Sequence, residues 1–150
     1  MAYAEAKKLD QNIIPVIDIS SLRDGTNPKA VARELHAASQ GLGFIYIKGH
    51  GIPEAVIKSA RANALEFFAL PEATKSAVKV SEKHRGWLGQ GGAKMKDGAK
   101  ADFKESFIWG HQDADGKTLE DHPLRGANQW PDHLPTMQAQ AMAYFNHAHD

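Results

Sequence analysis

Three side chains in the second half of the chain are of the types that bind a divalent metal ion. His111 and Asp113 are two residues apart, so both can face one ion at the end of a strand, and His147 or His149 follows downstream. Two imidazoles and one carboxylate form the facial ligand set of non-haem Fe(II) sites, which leaves coordination positions open for oxygen and substrate. The residue types therefore allow a small iron site.

Three features favour a surface turn at this position instead. A His-x-Asp triplet is common by chance in a chain with eight histidines. Asp113 lies in Asp113-Ala114-Asp115-Gly116, a composition typical of solvated turns. His147 falls in a predicted helix, whereas such sites normally take their second histidine from a strand. We interpret the His111–Asp113 stretch as a surface turn and keep the small iron site as the weaker alternative.

Other motif-like stretches indicate little chemistry. Gly116-Lys117-Thr118 is similar to the end of a phosphate-binding loop, but that loop needs a glycine where this chain has His111. The glycine-rich stretch 86–92 matches no dinucleotide-binding pattern and predicts a flexible loop. No set of serine, histidine and aspartate has the local signature of a nucleophile elbow. These stretches support neither nucleotide binding nor nucleophilic catalysis.

Composition limits the remaining function classes. The chain has 150 residues, 42% of them hydrophobic, which predicts one globular domain or most of one. Its 18 basic and 18 acidic residues cancel, so no basic stripe indicates nucleic acid or an anionic membrane. The absence of cysteine excludes disulfides and thiolate metal sites. No segment approaches the ~20 apolar residues of a membrane span, and residues 1–10 lack the apolar stretch of a secretory signal. We expect a cytoplasmic protein.

Periodicity and turn residues predict alternating strands and helices in the first half. Apolar β-formers predict strands at 13–19 and 44–47. Asn27 as a cap and Pro28 at the first helical position predict a helix that ends at the glycines 41 and 43. Pro53 predicts a second helix, to about Phe68, and a short helix follows from Pro71 to about Val78.

The second half is less regular. Residues 81–101 are rich in glycine and predict an extended loop, whereas 103–109 alternate as a strand that places Phe103, Glu105 and Phe107 on one face. A polar, turn-rich stretch follows at 113–132. From Pro135 to Asp150, apolar residues share one helical face and indicate a helix that needs a packing partner. Trp109, Trp130, Tyr144 and Phe145 are expected in the core.

Six stretches together resemble the start of the isopenicillin N synthase-like oxygenases. They match the family patterns "IPvIDl", "GFfyl-NHGIP", "FFaLPleeK", "rGY", "DlKEsf" and "N-WP--lP" in the same order. The chain departs from these patterns at Lys48-Gly49, which replaces a common Val-Asn pair, and at Trp87, which replaces the usual tyrosine. In chain order the stretches are 14–19, 43–53, 67–75, 85–87, 102–107 and 128–135.

The resemblance implies an α/β (α+β) fold in which helices frame a few strands that complete the edge of a double-stranded β-helix, a jelly-roll barrel. Most of that barrel, including its His-x-Asp and later His metal ligands, is implied to lie beyond residue 150. The complete enzyme would use Fe(II), 2-oxoglutarate and O2 to oxidise a small-molecule substrate. Residues 1–150 alone are expected to bind neither cofactor and to hold no catalytic or metal-binding residue. Their expected partner is the remaining C-terminal barrel.

In similar enzymes, the loop at 85–87 and the strand at 104–107 lie near the mouth of the substrate pocket. We therefore predict that Arg85, Trp87, Lys104 and Phe107 bind substrate, through an ion pair and stacking on the indole. The structural alternative makes Trp87 a core residue and Arg85 a member of a surface ion pair. Glu105 on an inward face needs a partner, and an arginine or a backbone N–H is expected.

Two function classes follow from these interpretations. The first is an oxygenase of which this chain is the N-terminal, catalytically incomplete region. The second is a stand-alone, non-catalytic binding or scaffold module derived from that region. The apolar face of the last predicted helix favours the first, because a stand-alone module is expected to carry polar residues there.

Overall fold

The computed structural model describes residues 14–92, 103–112, 124 and 126–149. Of the polar, turn-rich stretch predicted at 113–132, residues 113–123, including Asp113, and residue 125 lie outside the described residues, as do 93–102. The chain divides into two compact units at Gly51. In the part that the structure describes, no helix is long and apolar enough to cross a membrane.

The first unit is a crossover between two parallel strands. Strands β1 and β2 pair in the register Val16↔Tyr46, Ile17↔Ile47 and Asp18↔Lys48. Its elements are β1 (Val16–Asp18), α1 (Ser20–Arg23), α2 (Pro28–Gln40) and β2 (Tyr46–Lys48). The crossover therefore contains the two helices, as parallel strands require a long connection.

Helix α2 begins and ends as its sequence predicts. The side chain of Asn27 accepts a hydrogen bond of 3.3 Å from the Ala30 N–H, and Pro28 occupies the first helical position. At the other end, the N–H of Gly41 donates to the Ala37 carbonyl at 3.1 Å. These capping contacts satisfy backbone groups that would otherwise have no partner in the helix.

Strand β2 starts two residues later than the predicted strand 44–47. Gly43 has a positive φ of 78°, so the chain turns sharply after α2, and the next two residues only bring it to the sheet. The first hydrogen bond to the neighbouring strand runs from the Tyr46 N–H to the Pro15 carbonyl (2.9 Å). Phe44 is consequently 70% exposed instead of buried in a strand.

The surface of this first unit is unusually apolar. Only Ile17 and Val31 are buried among its described apolar residues. Large apolar side chains on both strands and at the end of α2 are exposed, and they include Val16, Leu42, Phe44, Tyr46 and Ile47. Large apolar side chains that are exposed together make this unit a candidate for coverage by another element.

The second unit combines helices with a short antiparallel strand pair. Its elements are α3 (Glu54–Phe68), α4 (Glu72–Lys75), a 3₁₀ turn (Ser76–Val78), β3 (Gly86–Leu88), β4 (Ser106–Ile108) and α5 (Pro135–His149). Helices α3 and α5 pack against each other. The partner that the apolar face of the last helix needs is therefore partly supplied by α3.

The core of this unit lies where α3, the 3₁₀ turn, β3 and α5 meet. Phe67 is fully buried, and half-buried aromatic residues such as Phe107 and Trp130 pack around the core. The other buried members of the core are Val78, Trp87, Leu134 and Met137. The expectation that Trp109, Trp130, Tyr144 and Phe145 are core residues holds only in part, because all four are half-buried.

Two predictions about this unit are wrong. The loop predicted at 81–101 contains strand β3, which forms because it pairs with β4 in the register Trp87↔Phe107. The strand predicted at 103–109 is shorter, and Phe103 lies before it with 94% of its surface exposed. Phe103 is therefore not on an inward face with Glu105 and Phe107, since strand alternation does not extend to it.

Candidate functional site

The candidate site is built around strand β3, and Gly86 fixes where that strand runs. Gly86 has a φ of 115°, a conformation that L side chains rarely adopt. A Cβ there would lie 2.5 Å from the Val78 carbonyl oxygen and 2.8 Å from Nε2 of Gln129. Only glycine therefore lets β3 approach the 3₁₀ turn this closely and place Trp87 in the core.

A buried cation holds the carboxylate of Glu105 in this region. Nζ of Lys75, a residue 6% exposed, donates to Oε1 and Oε2 of Glu105 at 3.0 and 2.7 Å, and to the Phe68 carbonyl at 3.1 Å. Nε1 of Trp87 donates to Oε2 of Glu105 at 2.7 Å. Nζ of Lys75 also lies 5.5 Å from the centre of the Trp87 ring. These contacts tie α3, α4, β3 and the residue before β4 together.

The partner of Glu105 differs from the prediction. The sequence predicts an arginine or a backbone N–H, but a lysine and an indole N–H satisfy the carboxylate. Burial raises the pKa of Glu105, whereas the hydrogen bonds from Lys75 and Trp87 and the charge of Lys75 lower it. The lowering effects prevail, so the pKa of Glu105 lies below its ordinary value of 4.5.

The lowered pKa predicts that acid destabilises this unit through Glu105. The contribution of this carboxylate is fully present above its unfolded pKa of about 4.5 and is lost as the pH falls through the lower, folded value. We expect the free energy of unfolding to decline below about pH 4.5, and to decline less steeply in Glu105→Gln. Urea unfolding of both proteins between about pH 3 and 7 measures the two slopes. Equal slopes would contradict the role of Glu105.

Arg85, the first of the predicted substrate-binding residues, is buried with 8% of its surface exposed. Nη1 donates to the His84 carbonyl at 2.9 Å, and Nε is buried with no hydrogen-bond acceptor. The structural alternative of a surface ion pair is wrong for this residue, because the side chain is not on the surface. The backbone carbonyl of Arg85 accepts a 2.5 Å hydrogen bond from Nε2 of Gln129.

The segment after β4 is held by a single amide. Asn128 Oδ1 accepts from the Gly110 N–H at 3.0 Å, and its Nδ2 donates to the Gly110 carbonyl at 2.9 Å and to Oε1 of Gln112 at 3.1 Å. A side-chain amide that bonds both backbone groups of one residue acts like a neighbouring strand. Asn128 thus fixes Gly110 beside the guanidinium of Arg85.

The other predicted substrate-binding residues lie in three different environments. Trp87 is buried with its indole N–H bonded to Glu105, which agrees with the alternative that it is a core residue. Lys104 is exposed and precedes β4. Phe107 on β4 is half-buried and packs edge-on against Phe67, with ring centres 4.9 Å apart. All four predicted residues thus lie on strands β3 and β4 or within two residues of them.

A mainly apolar cavity of about 290 Å³ lies between α3, β4 and α5. Phe107 and Trp109 contribute its β4 side, and Arg61 on α3 is its one charged lining residue. The remaining lining residues are Ile57, Ala60, Asn63, Ala64, Phe68, Met137, Ala141 and Tyr144. The cavity extends the aromatic cluster around Phe107 and is separate from the Lys75–Glu105 pair.

The residues of the small iron site do not assemble within the described ranges. His111 is exposed, and its ring centre lies 6.4 Å from that of His149 and 6.4 Å from that of Phe145. Asp113, the carboxylate of the proposed set, lies outside the described residues. No group of three or more His, Cys, Asp or Glu side chains in the described part of the chain could hold a metal ion. The described residues thus do not fit an iron centre.

A family model that matches most of both units establishes the family of this chain. Residues 14–133 match the family described as non-haem dioxygenase in morphine synthesis N-terminal. The chain belongs to this dioxygenase family. The resemblance found in the six sequence stretches is thereby confirmed.

Two proteins similar to this chain are named as an oxidase and as a putative oxygenase. A 1-aminocyclopropane-1-carboxylate oxidase from Dictyostelium mucoroides is 34% identical over 121 residues, which are 78% of this chain and 33% of that oxidase. A putative 2OG-Fe(II) oxygenase family protein from Caulobacter crescentus superposes with a TM-score of 0.69 and 26% identity, over 89% of this chain and 43% of that chain.

A second solved structure comes from Neurospora crassa. This full-length protein, in complex with alpha-KG and thymine, superposes with a TM-score of 0.64 and 25% identity. The superposition covers 93% of this chain and 45% of that one. The chain thus spans less than half the length of these two relatives, and it shares their mixed arrangement of helices and few strands.

The sequence analysis did not identify Lys75 as the residue that binds the carboxylate of Glu105. A usable signal is present, because Lys75 closes the stretch similar to "FFaLPleeK" and Glu105 lies in the stretch similar to "DlKEsf". Two charged residues within patterned stretches are a reason to test them as a pair. Nothing in the local sequence, however, indicates that the lysine at the end of α4 becomes buried.

Proposed function

We propose that this chain is the N-terminal region of a non-haem Fe(II), 2-oxoglutarate-dependent oxygenase that uses O2 to hydroxylate, desaturate or cyclise a small organic molecule. The match of residues 14–133 to the dioxygenase N-terminal family is the observation that carries this proposal. The names of the relatives support it, since they are oxidases and oxygenases. The two solved relatives are described with 2OG and alpha-KG, which supports the cosubstrate.

In this proposal the metal ligands lie outside residues 1–150. The support is that the described residues contain no ligand set for a metal ion, and that the chain covers 43% to 45% of the two solved relatives. Bound iron with 2-oxoglutarate would supply the activation of O2. The 150 residues alone are then inactive, and their partner is the C-terminal barrel of the same protein.

The strands of the first unit are proposed to extend the edge of that jelly-roll barrel. A parallel sheet is normally covered on both faces, and a two-stranded sheet is marginal on its own. Val16 and Tyr46, which are register partners in β1 and β2, are each 59% exposed. Coverage by further strands would remove this apolar surface from water and stabilise the unit.

The β3–β4 pair is proposed to form part of the mouth of the substrate pocket. Arg85 contributes a guanidinium that lacks a carboxylate partner among the described residues, and Phe107 contributes an aromatic ring beside a cavity. Lys104 is exposed and can meet a substrate from solvent. Trp87 packs in the core behind the proposed pocket mouth, where its indole N–H donates a hydrogen bond to Glu105.

A chimera tests this function. The matched N-terminal region of the Caulobacter oxygenase is replaced by this chain, and purified chimera and chain are assayed anaerobically and aerobically with Fe(II) and 2-oxoglutarate. We expect the chimera to convert 2-oxoglutarate to succinate in an O2-dependent manner, and the 150-residue chain to convert none.

Two results would contradict the proposal. Succinate formation by the 150-residue chain alone, abolished in His111→Ala, would establish a metal site within these residues. A folded chimera that binds iron but shows no O2-dependent succinate formation, together with a stable monomeric chain, would favour the stand-alone module. The unmodified Caulobacter protein is assayed in parallel, and O2-dependent succinate formation by that protein is required before the chimera result is interpreted.

A further inference from the structure

We infer that the cavity between α3, β4 and α5 is a binding site for a small aromatic carboxylate, a molecule of one or two rings with one carboxylate group. Binding there requires neither iron nor 2-oxoglutarate, so the inference goes beyond the proposed function. Three features of the cavity carry it: its size and fixed walls, the aromatic rings that line it, and a positive charge in its lining that no described carboxylate neutralises.

The cavity exists because small side chains lie where the two helices face each other and β4. Ala60 and Ala64 on α3 and Ala141 on α5 are lining residues, and their methyl groups leave space that larger side chains would fill. The volume of about 290 Å³ is close to the lower end of small-molecule sites, which measure about 300–1,000 Å³. This size suits a ligand of one or two rings.

Hydrogen bonds and packing hold the walls of the cavity in place. Oγ1 of Thr136 on α5 donates to Oδ1 of Asn63 on α3 at 2.9 Å, and Nδ2 of Asn63 donates to the Ser59 carbonyl at 3.1 Å. On the β4 side, Phe107 packs edge-on against the fully buried Phe67. The site is therefore largely formed before a ligand arrives, which lowers the entropic cost of binding.

Aromatic rings line the cavity from each of its three elements or the residue next to them. They are Phe68 on α3, Phe107 and Trp109 at β4, and Tyr144 on α5. These rings favour a flat aromatic ligand, because offset-stacked and edge-to-face ring pairs are more favourable than their buried area alone implies. A bound water needs about two to four polar partners, so an apolar ligand displaces water from this mainly apolar space at little cost.

The charge of the ligand follows from Arg61, the one charged residue of the lining. Arg61 shares one face of α3 with the lining residues Ile57, Ala64 and Phe68, which lie three, four or seven positions from it. None of the ion pairs in the described part of the chain includes Arg61. A guanidinium binds both oxygens of a carboxylate through two parallel hydrogen bonds. An aromatic ligand with a carboxylate therefore matches both the rings and the charge.

Calorimetric titration of the 150-residue chain with 2-naphthoate tests the inference, with 2-naphthamide as the neutral ligand of similar shape. We expect saturable one-to-one binding of 2-naphthoate and about fivefold weaker binding of 2-naphthamide, the difference that one guanidinium–carboxylate contact near the surface supplies. Arg61→Gln is expected to lower the affinity for 2-naphthoate to that for 2-naphthamide, and to leave the affinity for 2-naphthamide unchanged.

Substitutions on α3 test whether the ligand lies in the cavity. Ala64→Leu fills the cavity and is expected to abolish saturable binding, and Ala60→Leu is a second filling variant in case the first does not fold. Ala62→Leu is the control, because it adds the same atoms at an exposed position outside the lining. Methyl NMR of the unaltered chain needs no variant, since the rings of bound 2-naphthoate should shift the methyl signals of Ala60, Ala64 and Ala141.

The outcomes separate the site from the class of its ligand. The site is overturned if 2-naphthoate does not saturate, if a folded cavity-filling variant binds it as the unaltered chain does, or if the three methyl signals do not move. The carboxylate class is overturned if 2-naphthamide binds equally well, or if Arg61→Gln leaves the affinity for 2-naphthoate unchanged. The titration requires no iron and no turnover, so its result is independent of the chimera assay.

Discussion

Replacing Lys75 by methionine is expected to lower the free energy of unfolding by about 3 kcal/mol, because it leaves the carboxylate of Glu105 without its cation. The side chains of Lys75 and Glu105 are 8% and 23% exposed, so solvent replaces little of the lost interaction. Methionine has a similar volume and keeps the packing against Trp87. Urea unfolding measured by tryptophan fluorescence gives the change in midpoint and slope.

A surface pair on α3 is the matched control for this substitution. Lys58 and Glu54 form an ion pair of 2.7 Å at a spacing of four residues, and both side chains are largely exposed, at 72% and 77%. Lys58→Met is expected to change stability by at most about 0.5 kcal/mol, as exposed pairs do. In the double variant Lys75→Met/Glu105→Gln, most of the loss should be recovered, because no unpaired charge remains. Equal effects of Lys75→Met and Lys58→Met would show that burial of the pair does not matter.

The sequence predicts well the elements whose signals are local. Helix α2 begins at Pro28 with Asn27 as its cap, as predicted, because capping involves residues within one turn of each other. The helix from Glu54 to Phe68 follows from an apolar face that recurs at helical spacing. Both features are decided by neighbours along the chain, so no knowledge of the tertiary structure is needed.

The sequence fails where structure depends on distant partners. Strand β3 lies in a glycine-rich stretch with little periodicity, and it is a strand because Trp87 pairs with Phe107. Phe103 shows the opposite error, since two-residue alternation predicts an inward side chain at a position that precedes the strand. Short strands carry too few residues for their pattern to be reliable, and the pairing that decides them is non-local.

The candidate site shows the same division. The sequence singles out Arg85 and Trp87 by their type and neighbours, but it does not predict that both are buried, or that Lys75 is the partner of Glu105. For the alternative iron site, the ring centre of His111 lies 6.4 Å from that of His149. Two residues on a helix are about 200° apart around its axis, so only one of His147 and His149 can face His111.

The chain contains two phenylalanines that separate the contribution of burial from that of residue type. Phe67 is fully buried in α3, where its ring packs edge-on against Phe107 at 4.9 Å and Phe68 at 5.5 Å. Phe67→Ala is expected to cost about 3–5 kcal/mol, the sum of lost transfer free energy, the cavity left behind and the lost ring contacts. Thermal and urea unfolding of the chain give this value.

Phe103→Ala is the control, because the same atoms are removed from a side chain that is 94% exposed. We expect a change within about 0.5 kcal/mol, as for other surface positions. If Phe103 instead lay on the inward face that the alternation of 103–109 predicts, its loss would approach that of Phe67. A large effect at both positions would therefore contradict the short strand β4, whereas a large effect at Phe67 alone locates the core on α3 and its aromatic partners.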